Sequence, residues 1–176
     1  MRTAGLPGML PEPRKYWWSR ASLSDCGNYR YGLVRIWRNG DPLVTWCMLN
    51  PSKADAEMDD ATIRKCVGFS RRWNFGGIQA INLFGLRATD PTELLVPGRD
   101  IQGLNLAALA GFSGRRLVVA WGSHATKVPG YDKALAALLD GVDLGNVWCL
   151  GTTKSGQPRH PCRLGYDTEL ARWRRG

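Results

Sequence analysis

The residues best suited to polarise a bond near neutral pH are scarce in this chain: its 176 residues include two histidines, His124 and His160. His160 lies between Arg159 and Pro161 in a basic, Pro-punctuated segment, 151–164, unlike the surroundings of a packed core histidine. There it could serve as acid, base or electrophile. Asn82 interrupts the apolar pair Ile81 and Leu83, and a side-chain amide in such a place must find partners in the backbone or in a ligand. It carries both a donor and an acceptor, as reading the edge of a nucleobase requires. Asn50 ends the apolar run 43–49 and leads through Pro51, Ser52 and Lys53 into an acidic cluster. Four of the 15 acidic residues, Asp55, Glu57, Asp59 and Asp60, fall within six positions. A helix start collects carboxylates, which accounts for Asp59 and Asp60 better than for Asp55. Ser123 and Lys127 follow Trp121-Gly122 in a turn that suits a phosphate contact.

Open parallel sheets bind ligands beyond the carboxyl ends of their strands, and these four segments fall where such ends are expected. The β-branched and aromatic runs 29–37 and 43–49 flank Asn39-Gly40 and predict a β-hairpin. Asp60 is the expected N-cap of a helix over 61–73 with Ile63, Cys66 and Val67 on its apolar face. Strands over 78–83, 117–121 and 147–150 then alternate with helices over 101–112 and 131–139, and 167–173 reads as a short basic helix. Such alternation implies right-handed crossovers and a sheet covered on both faces. The expected fold class is α/β, three-layer α/β/α with a central mostly parallel sheet and an N-terminal β-hairpin. One domain is expected over 29–176, after an extended, Pro-rich arm over 1–28. In that arm Trp17-Trp18 reads as an apolar lid on the sheet, with a stacking platform for bases as the alternative.

Charge narrows the partners. Lys plus Arg is 24 against 15 acidic residues, a net charge of +9, and eighteen of the cations are Arg. Guanidinium forks match phosphate oxygens, so DNA is the expected partner of a chain that acts as a monomer. The five cysteines form no C-x-x-C pair, and with two histidines the expectation is no metal and no cofactor. Thiols reduced in a cytoplasmic setting are the default. The longest apolar runs are strand-sized, which points away from a membrane.

Taken together, Asn50-Pro51-Ser52, Ile81-Asn82-Leu83-Phe84, Trp121-Gly122-Ser123 and His160-Pro161-Cys162-Arg163-Leu164 resemble, in that order, the motifs of the uracil-DNA glycosylase superfamily. From residue 29 to 164 the chain more closely resembles the bacterial and phage family known as domain of unknown function 1643. The superfamily resemblance implies a glycosylase-like fold and an enzyme that flips a deaminated, damaged or phage-modified base and hydrolyses its N-glycosidic bond. It implies that Asn82 reads the base edge within a pocket bordered by Pro51, and that a ring, Phe84 or Phe69, stacks on the base. His160 would hold the base oxygen as negative charge develops, and Arg163 or Leu164 would wedge into the gap. Ser52, Lys53, Ser123, Lys127, Lys154, Ser155 and Arg159 would hold the DNA backbone. Asn50 stands where fast relatives carry Asp; it can position water but cannot take its proton, so Asp55 or Asp59, or Asp60, is expected to supply a carboxylate. The alternatives are a modified-nucleotide-binding enzyme and a non-catalytic reader of flipped bases in a phage modification or defence pathway.

Overall fold

The computed structural model describes residues 15–110 and 116–174. Its strands are β1 (Trp18–Leu23), β2 (Arg30–Ile36), β3 (Leu43–Met48), β4 (Gly77–Asn82), β5 (Leu117–Val119), β6 (Val147–Cys149) and β7 (Ala171–Arg172). They form one mixed sheet in the order β1-β2-β4-β3-β5-β6-β7. The central ladders β4-β3-β5-β6 are parallel and the flanking ones antiparallel, so the sheet is less parallel than expected. β3 is buried at every position after Leu43, as a strand covered on both faces must be. Helix α1 (Ala61–Arg72) lays Ile63, Cys66 and Phe69 on Val44, Trp46 and Met48. On the other face, α2 (Asn105–Ala110) and α3 (Tyr131–Leu139) bring Leu109, Leu135 and Leu138 against Cys47, Leu49 and Val119.

The hairpin expected from 29–37 and 43–49 does not form, because β4 lies between β2 and β3. Asn39 and Gly40 do turn the chain, but the turn straddles the start of β4. Two glycines make room: a Cβ on Gly76 would stand 2.7 Å from the Arg38 carbonyl oxygen, and one on Gly77 would stand 2.7 Å from that of Arg35. The N-terminal hairpin is instead β1-β2, so 18–23, expected within an extended arm, is an edge strand. Trp17 and Trp18 do not close over the sheet; they are 58% and 42% exposed. The arm's residues 1–14 lie outside the described residues, as do 111 and 112 of the helix expected over 101–112. The tail expected as a helix over 167–173 pairs with β6 as β7, and Trp173 packs edge-on against Trp121, ring centroids 5.5 Å apart. Covering the edge of β6 and burying Trp173 outweigh the helix propensity of this stretch.

One irregularity matters for the site. Ser22 pairs with Gly32 and Leu23 with Arg30, so Tyr31 is an extra residue in β2. Strict alternation would send Arg30 to the face opposite Leu33 and Arg35. The bulge returns it to their side, where both arginines reach the 54–59 segment that leads into α1. Among the described residues no helix is long and apolar enough to cross a membrane.

Candidate functional site

The segment after β3 leaves toward α1, whereas those after β4 and β5 leave toward α2 and α3, so the carboxyl end of β3 is the sheet's switch point. Asn50 is there, half-buried. Its Nδ2 donates to the Ala88 carbonyl at 2.8 Å and to the Pro51 carbonyl at 3.1 Å. Both amide protons are thereby engaged, and Oδ1 is left as the acceptor.

Three arginines hold the segment that follows. Arg87 donates to the carbonyls of Ser52 and Lys53, Arg30 to that of Ala54 at 2.9 Å, and Arg35 to those of Asp55 and Met58. The acidic cluster serves the same scaffold. Asp55 Oδ1 accepts the backbone N–H groups of Glu57 and Met58, bonds that hold its carboxyl below the usual range. Asp59 takes Arg35 Nε at 2.9 Å, the Tyr16 hydroxyl at 2.5 Å and Lys15. Burial alone would raise the Asp59 pKa, but these three donors outweigh it and the net shift is downward. Both Asp55 and Asp59, expected as candidate catalytic carboxylates, are thus engaged in holding this segment. Asp60 is the N-cap of α1, accepting Ile63 N–H at 2.8 Å. Its charge favours the protonated forms of both Arg30 and His160.

Asn82, at the end of β4, is 2% exposed. Its Oδ1 accepts from Arg30 Nη2 at 3.3 Å. A guanidinium only donates, so Arg30 decides which end of the amide faces it. Asn82 Nδ2 is then left buried without a partner, and so is Arg30 Nε. No ion pair of Arg30 is found among the described residues. Burial pulls its pKa down to about 10, against the pull of Asp60. The pair thus has two donor atoms without partners and a charge without a carboxylate. Sequence reasoning missed Arg30: one Arg among eighteen, at the head of an apolar strand, gave no signal until the bulge turned it inward.

The 151–164 loop is anchored to the end of β5. Gly122 N–H donates to the Pro158 carbonyl at 2.8 Å, and Trp121 Nε1 to Gln157 Oε1 at 2.9 Å. The Thr62 hydroxyl of α1 meets the Cys162 thiol at 3.1 Å. His160 Nδ1 accepts from Cys162 N–H at 3.4 Å, which leaves the ring proton on Nε2. Burial lowers the His160 pKa from 6.5, with Asp60 opposing, so the imidazole is neutral at pH 7. Neutral, it is a donor through Nε2.

Other expected site residues divide by exposure. Lys53, Ser123, Lys127, Lys154, Ser155, Arg159 and Arg163 are exposed, Ser52 is half-buried, and Pro51 is buried. Phe69 and Phe84 are both fully buried in opposite cores, so neither offers a ring face to a base. Phe69 stacks on Trp73, 5.5 Å away, instead. Leu164 is a core residue at 6% exposure, leaving Arg163 as the available wedge. A cleft of about 270 Å³ opens beside Asn50, bordered by Ser52, Lys53 and Arg87. Among the described residues, no group of three or more His, Cys, Asp or Glu could hold a metal ion.

The profile of one family, described as "Protein of unknown function (DUF1643)", matches residues 30–162. No curated protein and no solved structure matches the chain.

Proposed function

The chain belongs to the DUF1643 family, and from that premise we propose that it is a DNA glycosylase, hydrolysing the N-glycosidic bond of a flipped deaminated, damaged or phage-modified base. The observation that carries this reading is Asn82: a buried amide, oriented by Arg30, with an unmatched donor at the carboxyl end of a central parallel strand. The four motif-bearing segments that resemble the uracil-DNA glycosylase superfamily follow β3, β4, β5 and β6, four adjacent parallel strands, and helices cover both faces. This arrangement supports a three-layer glycosylase-like fold.

Dissociative cleavage leaves a sugar cation and a base anion, so it needs acceptors on one side and donors on the other. Asn50 Oδ1 supplies the acceptor, orienting water toward the sugar carbon. Asn82 Nδ2, polarised by the guanidinium behind it, and neutral His160 Nε2–H supply donors for the oxygen on which negative charge collects. The water oxygen bonds to the sugar carbon, the glycosidic electron pair leaves with the base, and the water proton passes to Asp60. Because Arg30 already engages Oδ1 and Nδ2 has no partner, Asn82 favours an acceptor on the base over a ring N–H. Substrates with a keto group at that edge are favoured over their amino counterparts.

The test is an abasic-site assay on single- and double-stranded oligonucleotides bearing uracil, hypoxanthine, hydroxymethyluracil or hypermodified pyrimidines, followed by alkali. Strand scission on one substrate, abolished by Asn50→Ala and by His160→Ala, is the expected result. No scission on any substrate, from protein that binds the oligonucleotides, would discard the reaction in favour of a flipped-base reader. A second reading is an enzyme acting on free modified nucleotides. Nucleotide turnover insensitive to salt is its signature, because DNA binding through several phosphates weakens steeply with salt.

A further inference from the structure

The cleft beside Asn50 has a composition that the cleavage chemistry does not use. It is lined by Gly27, Asn28, Ser52, Lys53, Arg87 and Thr89, from the β1-β2 turn and from the segments that follow β3 and β4. Arg87 donates Nε to the Ser52 carbonyl at 3.3 Å, Nη1 to that of Gly27 at 3.0 Å and Nη2 to that of Lys53 at 3.2 Å. Three of its five N–H groups are thus held by neutral carbonyls, one on each nitrogen, and each terminal nitrogen keeps one more. The guanidinium is immobilised and its charge is not cancelled, since no ion pair of Arg87 or Lys53 occurs among the described residues. Asp55 feels the Arg87 charge but turns its Oδ1 to backbone N–H groups. Lys53 is exposed, and the hydroxyls of Ser52 and Thr89 meet at 3.4 Å across the cleft.

We propose that this cleft is a phosphate-binding site, with Arg87 as its fixed charge, Lys53 as its mobile one, and the Ser52 and Thr89 hydroxyls as neutral donors. The donor set is wide and spread over three segments, which suits the several oxygens of a phosphate better than the two of a carboxylate. Ala88 lies between Arg87 and Thr89, and its carbonyl holds the Asn50 amide at 2.8 Å, so a phosphate here is directly beside the water-positioning side chain. Only the owner of the phosphate, a nucleotide presented to Asn50, rests on the glycosylase reading. The site itself does not.

The experiment follows backbone amide resonances of the full chain during titration with inorganic phosphate, thymidine 5′-monophosphate, thymidine and a single-stranded oligonucleotide. Phosphate and the monophosphate are expected to move the amides of Gly27, Asn28, Lys53 and Thr89, while thymidine leaves them in place. Lys53→Gln should weaken phosphate binding about tenfold without changing the melting temperature. It should also lower the salt dependence of oligonucleotide binding by one contact, a slope change of about 0.7. A Ser52→Ala, Thr89→Val double variant should weaken phosphate while leaving the salt slope unchanged. If oligonucleotide binding ignores Lys53→Gln while the monophosphate senses it, the phosphate belongs to a free nucleotide. Amides that stay still, or that move equally in Lys53→Gln, overturn the proposal. Cleavage is not read at any point, so failure of the glycosylase assay leaves this result independent.

Discussion

Arg30 and Arg35 lie five residues apart on β2, both buried, and both reach the segment between β3 and α1. Arg35 meets a carboxylate, Asp59, which is also held by Tyr16 and Lys15, so both cations there contact an opposite charge. Arg30 meets an amide, and the pair keeps two donors unmatched. The first arrangement is what a scaffold needs, since buried charges are tolerated when paired. The second leaves an electrostatic demand unanswered at the end of the sheet where ligands bind. Polar groups of equal burial can therefore be sorted into scaffold and site by whether their hydrogen-bonding capacity is filled.

Removing one partner of the filled pair should produce the largest effect. Asp59→Ala strands the Arg35 charge and is expected to cost about 3–5 kcal/mol, read by urea denaturation. A loss below about 1 kcal/mol would mean that the two arginines do not differ as described. Arg30→Met should change stability by only about 1 kcal/mol in either direction, because relief of a buried charge offsets the bonds lost at Ala54 and Asn82. Substrate cleavage should nevertheless fall at least about tenfold. Asn82→Asp sharpens the contrast by giving Arg30 a carboxylate, as Arg35 has. Its stability should stay near wild type, and its preference should move from keto to amino bases in a paired binding assay.

The two regions should also separate along the pH axis. His160 has a lowered folded pKa, so below 6.5 the unfolded chain takes up a proton that the folded chain resists, and stability begins to decline there as pH falls. Activity should hold through that point and then drop as the folded imidazole protonates at lower pH. The Asp59 contribution is complete above the unfolded value of 3.8 and is lost as pH falls through its lower folded pKa. Paired activity and circular dichroism titrations would check both signs. The smallest effect is expected for Asp55→Asn, about 0.5–1 kcal/mol from weakened turn bonds, with cleavage unchanged.

Much of the local structure was legible in the chain. Asp60 caps α1 as its type and position predicted, α3 spans the residues its Leu spacing marked, and the strand after Phe75 ends on Asn82. The acidic cluster was legible as composition but not as function, because charge density does not say which carboxylate an arginine fifteen or more residues away will take. Phe69 and Phe84 illustrate the same gap, since an aromatic side chain reads alike whether it stacks on Trp73 or on a base.

By itself the sequence determined the α/β alternation, the Asp60 helix cap and the four polar segments, because these depend on periodicity and turn chemistry within a few residues. The tertiary structure alone decided that β4 enters between β2 and β3, that a tail rich in helix formers becomes β7, and that the bulge at Tyr31 turns Arg30 onto Asn82. Those outcomes depend on which strand finds which edge. That choice is made by burial and hydrogen-bond pairing between distant segments, a quantity no local window contains.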